Sequence, residues 1–115
     1  MANIYVRSTD GSDADNGSTW ALAKATLVGA AAIDAAGDTI YLSQSHAESG
    51  GVVSASLAGT IANPVKIIAG NDAAEPPTAV SSASLISSSS ITLSGSYYLY
   101  GLTLQSATSI LPANQ

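Results

Sequence analysis

The stretch Thr39-Ile40-Tyr41-Leu42-Ser43 decides the fold, because its alternating pattern indicates a short β-strand. Further short strands are predicted at residues 52–56, 65–68, 84–86, 91–93, 97–100 and 102–104. Gly, Ser, Asn and Pro separate these segments, and such residues form the turns between strands. From residue 39 onward the chain is therefore predicted to be all-β.

The spacing of these strands favours a stacked, coiled architecture. Tyr41 and Ile67 are 26 positions apart, and so are Ile67 and Leu93. Such self-similarity is typical of solenoids, so residues 39–115 are predicted to wind about three coils. A β-sandwich, which also uses many short strands, is the structural alternative. The side chains predicted to point inward are Ile40, Leu42, Ile67, Ile91, Leu93, Leu102 and Leu104.

Residues 1–38 are predicted to form a different kind of unit within the same single domain, made of a strand, a loop and a short helix. A first strand near residues 3–7 is followed by a loop rich in turn formers. Thr26 is a suitable N-cap for a short helix near residues 26–36, one face of which is apolar and small. Gly37 stands where a left-handed glycine would end that helix.

The unit of residues 1–38 and the strand after it resemble a known family, in which the corresponding unit is an N-terminal cap. The residues that carry the resemblance are Ile4-Tyr5-Val6, Asp10-Gly11-Ser12-Asp13, Asn16-Gly17-Ser18, Trp20, Ala25-Thr26-Leu27, Ala30-Ala31 and Gly37-Asp38-Thr39-Ile40-Tyr41-Leu42. They resemble the opening of pectate-lyase-like right-handed parallel β-helix proteins, and residues 63–70 and 98–105 are similar to the recurrent coil strands of that family. The resemblance implies an all-β solenoid, a right-handed parallel β-helix whose end is covered by a capping strand and a short α-helix. Trp20 is then expected to pack over this cap.

Composition excludes several functions. Three Lys and Arg residues against eight Asp and Glu residues are too few for a basic nucleic-acid or membrane-surface footprint. The absence of cysteine excludes disulfides and thiolate metal sites, and the single His46 excludes any site that needs two histidines. No cofactor and no membrane insertion are expected.

The acidic loop offers one candidate metal site. Asp10, Asp13 and Asp15 lie close together around a glycine, as carboxylates do in calcium-binding loops. The spacing of an EF-hand would need a Glu at the position that Ala23 occupies. Asx turns that hold the loop backbone are the favoured alternative.

Candidates for acid–base chemistry are few. His46 and Glu48 could form a pair, but a surface histidine is the favoured interpretation. The lyase residues implied by the resemblance, calcium-binding aspartates and a catalytic arginine on a central coil, have no counterparts, since the sole arginine is Arg7 on the first strand. Asp72 and Glu75 lie on one loop, where two carboxylates are expected to be solvated. No catalytic residue is assigned.

The tyrosine cluster is the candidate interaction surface. Strand alternation places Tyr98 and Tyr100 on one face, and Tyr97 with Leu99 on the other. If exposed, these rings suit contact with a protein or a glycan. If buried, they fill the core of a coil, and the sequence leaves both open.

The predicted function is structural. Together with the resemblance, the Ala/Ser/Gly-rich composition and the absence of a signal peptide are similar to those of bacteriophage virion proteins: capsid decoration proteins, head fibres, tail fibres and tailspikes. Such a protein is made in the host cytoplasm and resides in the virion, with other virion proteins as partners and a host glycan as a further ligand. A polysaccharide lyase or hydrolase, or a fragment of one, is the alternative, and an exported bacterial adhesin is a third.

The far end of the solenoid is expected to be incomplete. Residues 110–115 do not predict a second capping helix, so Leu102 and Leu104 would stay partly open. We expect either that the natural product continues past Gln115 or that neighbouring subunits cover this end, with a homotrimer favoured.

Overall fold

The computed structural model describes residues 2–82 and 84–112, which form a small, mostly β unit. The seven strands are β1 Asn3–Val6, β2 Thr39–Ser43, β3 Ala47–Ser56, β4 Val65–Gly70, β5 Leu85–Ser94, β6 Tyr97–Tyr100 and β7 Thr103–Pro112. A 3₁₀ turn, Trp20–Leu22, and one short helix, α1 Leu27–Ala31, lie between β1 and β2. In the part of the chain described, no helix has the length and apolar character needed to span a bilayer.

The strands form two parallel sheets. One has four strands in the order β1-β2-β4-β6, and the other has three in the order β3-β5-β7. From β2 onward, successive strands alternate between the two sheets, and all pairs of these named strands are parallel. This pairing differs from the antiparallel pairing of a β-sandwich.

The strand register does not follow the predicted 26-residue spacing. In the four-stranded sheet Ile40 pairs with Ile67, and Ile67 pairs with Leu99, which are steps of 27 and 32 residues. Leu93 lies in the other sheet, where it pairs with Ala55. The prediction was wrong because the connections differ in length, and the longest of those after β2 is the segment of residues 71–84 between β4 and β5.

One apolar core lies between the sheets. Its buried members are Ile4, Val6, Leu27, Ala30, Ile40, Leu42, Val53, Ala55, Leu57, Val65, Ile67, Ile86, Ile91 and Leu93. The inward prediction is confirmed for the strand residues in this set, and Leu102 and Leu104 pack against it while staying partly exposed. Because Leu27 and Ala30 belong to the same cluster, α1 packs directly onto the core.

The helix begins as predicted and ends earlier. The Thr26 hydroxyl accepts the N–H of Gly29 at 2.9 Å, which confirms the N-cap. The helix ends at Ala31, because the Asp38 carboxylate accepts the N–H of Ala35 at 2.9 Å and folds the following residues into a turn. Gly37 has a φ of 85°, but it belongs to the turn that enters β2 and does not close the helix.

A second, smaller cluster covers the outer face of the four-stranded sheet. The Trp20 ring meets the Tyr5 ring edge-on at 4.8 Å, and Tyr5 stacks on Tyr41 at 5.6 Å. Trp20 is 6% exposed and packs with Ala23 in this cluster, separate from the core that holds α1. Trp20 therefore packs within the predicted cap, as expected, but its ring meets Tyr5 on β1 and not the helix α1.

Candidate functional site

The acidic loop holds the start of the helix. Asp13 accepts the backbone N–H groups of Ala25 and Thr26 at 2.9 and 3.0 Å, and the Thr26 hydroxyl at 2.7 Å. Asp10 turns away toward Arg7, with 2.7 Å between the Arg7 Nε and a carboxylate oxygen. Among the described residues, no three His, Cys, Asp or Glu side chains, Asp15 included, are grouped so that they could hold a metal ion.

Turn formation explains the rest of this loop. The Asn16 side-chain oxygen accepts the N–H of Ser18 at 2.9 Å, which is an Asx turn as predicted. The Ser12 hydroxyl accepts the N–H of Ala14 at 3.2 Å in the same way. The loop is thus built by local hydrogen bonds and by the long-range contacts of Asp13.

Arg7 ties the first strand to two distant loops. Its guanidinium binds Asp10 through two nitrogens, donates to Asp72 at 3.2 Å and donates to the Trp20 carbonyl at 3.2 Å. Asp72 also accepts the Ser43 hydroxyl at 2.7 Å, and this bond together with Arg7 lowers the pKa of the Asp72 carboxyl. The expectation that Asp72 is merely solvated was wrong, because Arg7, the residue after β1, supplies a cation from 65 positions away in the sequence.

The loop of residues 71–80 is fastened over the Trp20 cluster. The Glu75 carboxylate accepts the Trp20 backbone N–H, and the Ala74 carbonyl accepts the indole N–H at 2.9 Å. Asn71 holds the far side of the loop, since its side-chain oxygen accepts the N–H of Thr78 at 2.9 Å. Both carboxylates of this loop therefore have structural partners.

His46 and Glu48 do form a pair, but inside the protein. Their side chains are 0% and 8% exposed, and His46 Nε2 lies 2.9 Å from Glu48 Oε1. The Ser8 N–H donates to His46 Nδ1 at 3.1 Å, so Nδ1 is the acceptor and Nε2 carries the proton. Glu48 also accepts the N–H of Leu27, which joins the first residue of α1 to β3. The prediction of a surface histidine was wrong, and the buried pair connects the cap to the strands.

The tyrosine strand presents two different faces. Tyr98 and Tyr100 are each 62% exposed, while Tyr97 packs against the core, where burial raises the pKa of its hydroxyl. The predicted alternation is confirmed by the register, in which exposed Lys66 pairs with Tyr98 and buried Val65 pairs with Tyr97. An interaction with a partner at Tyr98 and Tyr100 stays a prediction.

A shallow groove accompanies these tyrosines. It measures about 350 Å³ and is lined by Lys66, Ile68, Tyr98, Leu99 and Tyr100. A second depression of about 190 Å³ shares Ile68 and runs beneath the 71–80 loop. We call the groove and these two tyrosines the tyrosine face.

The charged residues are unevenly distributed along the sequence, and the search for local motifs did not reveal this. All the Asp, Glu, Lys, Arg and His residues lie between Arg7 and Glu75, and residues 76–115 contain none. Plotting charge along the chain would have separated a charged, hydrogen-bonded part from an uncharged part that includes β5, β6 and β7.

Comparisons of the chain with protein-family models, with curated proteins and with solved structures give no match.

Proposed function

We propose that the chain is a capped right-handed parallel β-helix and a non-enzymatic structural protein of a bacteriophage particle. Its role would be that of a capsid decoration or head fibre protein, or of a component of a tail fibre or spike. The observation that carries this proposal is the alternation of parallel strands between two sheets that share one core. A chain that alternates in this way advances along one axis, as a solenoid does.

The cap supports the solenoid interpretation. The apolar core of a solenoid needs a cover at its end, and α1 places Leu27 and Ala30 there with no exposed surface. At the same end, β1 occupies the edge of the four-stranded sheet. Strand and helix together are what the resemblance to capped β-helix proteins implies.

The use of the polar side chains supports a structural role. Arg7, Asp72, His46 and Glu48, the groups best suited to chemistry, are each bonded to another segment of the chain. A catalytic acid or base has to reach a substrate, and the buried His46–Glu48 pair is closed to one. These residues hold loops and helix onto the strands.

Contact with the host surface is the additional role that the tyrosine face supports. Exposed tyrosine rings combine apolar area with a hydroxyl that can hydrogen-bond, which suits contact with a glycan or a protein. Lys66 adds one positive charge on strand β4. We place any such contact at Tyr98 and Tyr100 rather than at the covered Trp20.

Quantitative mass spectrometry of purified particles, produced from a genome that encodes the chain, tests the structural role. We expect the protein at a fixed ratio to the major capsid or tail proteins, and immunogold labelling would then show which part carries it. Its absence from particles that are otherwise complete would overturn the proposal. Release of unsaturated or reducing ends from polysaccharides by the purified chain would support the lyase or hydrolase alternative instead.

A further inference from the structure

The pair Asn16-Gly17 is the only Asn-Gly step in the sequence. The side-chain carbon Cγ of an asparagine can be attacked by the backbone nitrogen of the next residue, and glycine leaves that nitrogen unshielded because it has no Cβ. The new N–Cγ bond closes a succinimide ring, while the side-chain amide group takes up the proton of the attacking nitrogen and leaves as ammonia. Water then opens the ring, which gives aspartate or isoaspartate. The sequence therefore contains one step at which deamidation is chemically favoured.

The loop depends on both members of this labile pair. Gly17 has a φ of 72°, in the left-handed region, and a Cβ at this position would lie 3.0 Å from the Ile4 side chain. Any other residue would be strained there. Asn16 forms the Asx turn, since its side-chain oxygen accepts the N–H of Ser18 at 2.9 Å.

The folded loop holds the two groups that would react. The buried Gly17 donates its N–H to the Leu22 carbonyl at 2.8 Å, and its own carbonyl accepts the N–H of Tyr5 at 2.8 Å. The Asn16 carboxamide is held by Ser18 and is not free to turn toward the Gly17 nitrogen. Because the reaction consumes the proton of the Gly17 N–H, its hydrogen bond to Leu22 has to break first.

The acceptor carbonyl is itself positioned by a short turn. Leu22 ends the 3₁₀ turn Trp20–Leu22, and the hydroxyl of its N-cap, Thr19, accepts the Leu22 N–H at 3.2 Å. Asn16 is exposed, so water already reaches its side chain. Opening of residues 16–22 alone would therefore release the Gly17 N–H, and local openings of this kind occur while the rest of a protein stays folded.

We infer that Asn16-Gly17 is a deamidation site that reacts only when the loop of residues 16–22 opens, and that its isoaspartate product prevents the loop from closing again. In isoaspartate the chain runs through the former side chain, which inserts one methylene group into the backbone before Gly17. The N–H and the carbonyl of Gly17 then cannot both reach Leu22 and Tyr5. Since Tyr5 belongs to β1, the modified chain loses a contact that fastens the loop to the four-stranded sheet.

Peptide mapping by mass spectrometry, after incubation of the purified chain with and without urea, tests this inference. Labelling with isoaspartate methyltransferase identifies the isoaspartate product. We expect conversion at Asn16 in urea and conversion at least about tenfold slower in the folded chain, because the rate there follows the fraction of open loops. Equal rates in the two conditions, or no conversion at Asn16 in urea, would overturn the inference.

Thr19→Ala tests whether the local turn controls the reaction. Loss of this cap should accelerate conversion in the folded chain by about two- to tenfold and leave the rate in urea unchanged. Thr60→Ala is the matched control, since the Thr60 hydroxyl accepts the N–H of Asn63 at 3.0 Å in a different turn. Circular dichroism verifies that both variants fold. An unchanged rate in folded Thr19→Ala, or an equal acceleration in Thr60→Ala, would contradict local control.

The effect of the product is measured separately. Chains purified with isoaspartate at position 16 should unfold at a lower urea concentration than Asn16→Asp, which carries the same added charge on a normal backbone. Equal midpoints would show that the loop closes again after the reaction, against the inference. None of these outcomes bears on the proposed virion role, which the composition of the particle decides.

Discussion

The two outer strands of the four-stranded sheet, β1 and β6, differ in what holds them, and we call the β1 side with α1 the closed end and the β6 side the open end. At the closed end, four polar side chains hydrogen-bond to other segments of the chain: Arg7, Asp13, His46 and Glu48. These bonds fasten a loop and a helix to the strands. At the open end, β6 contains no charged residue and presents Tyr98, Leu99 and Tyr100 as exposed side chains. The difference teaches that one sheet can hold its outer strands in two ways: by polar contacts to distant segments, which we call the polar lock, or by an uncharged strand with exposed apolar rings.

Two tyrosines of one ladder give the sharpest test of this difference. Tyr5 pairs with Tyr41, Tyr41 with Ile68 and Ile68 with Tyr100, so Tyr5 and Tyr100 occupy equivalent positions at opposite ends. Tyr5→Ala should lower the free energy of unfolding by about 3–5 kcal/mol, because a 3% exposed ring is removed. Tyr100→Ala, which removes a 62% exposed ring, should change it by less than about 0.5 kcal/mol.

Urea unfolding followed by circular dichroism, with both variants and the parent chain at the same concentration, measures both values. Equal effects of the two substitutions would contradict the contrast between a packed and an open end.

The polar lock predicts a smaller effect at Asp13. Asp13→Ala removes the acceptor for two backbone N–H groups and one hydroxyl at the start of α1, and should lower the free energy of unfolding by about 1–2 kcal/mol. Asp15→Ala removes the same charge from the same loop and is the matched control. If both variants lose equal stability, the effect comes from net charge and the helix contacts of Asp13 contribute nothing.

The acid sensitivity of the closed end follows from Asp72. Its pKa is lowered by the Ser43 hydroxyl and by Arg7, so its contribution to stability is complete above the unfolded value of 3.8 and is lost as the pH falls through the lower folded value. Asp72→Asn should therefore be less stable than the parent chain at pH 7, by about 1 kcal/mol. The gap should close below pH 3.8, and a gap that is constant with pH would refute the assignment.

Local patterns in the sequence predicted the local features. The first strand, the N-cap at Thr26, the inward ladder positions and the two faces of the tyrosine strand depend on residues within a few positions of one another. Strand alternation and capping chemistry are sufficient for such features. The candidate surface at Tyr98 and Tyr100 could be named for this reason.

The features that depend on distant partners could not be predicted. His46 can be buried because the backbone N–H of Ser8, 38 positions away in the sequence, donates a hydrogen bond to its ring. Trp20 is held on the sheet because its indole N–H donates to the carbonyl of Ala74, 54 positions away. The register depended on the length of the 71–84 connection, which carries no strand pattern of its own. The spacing of the strands and the secondary-structure propensities of single residues carry little information about contacts between residues that are so far apart in the sequence.

The last prediction concerns Asp34, whose pKa is shifted in the opposite direction to that of Asp72. Partial burial raises the pKa of the Asp34 carboxyl, although it accepts the N–H of Ala58 at 3.0 Å. Folding therefore favours the protonated Asp34 carboxyl. The stability that this group contributes is complete below the unfolded pKa of 3.8 and is lost as the pH rises through the higher folded pKa. Asp34→Asn keeps an acceptor for Ala58 without the charge, so at pH 7 it should be slightly more stable than the parent chain, by less than about 0.5 kcal/mol. Unfolding free energies of the two proteins should converge as the pH falls below 3.8. If Asp34→Asn is instead less stable at pH 7, the charge of Asp34 belongs to the polar lock, and its burial is not a cost.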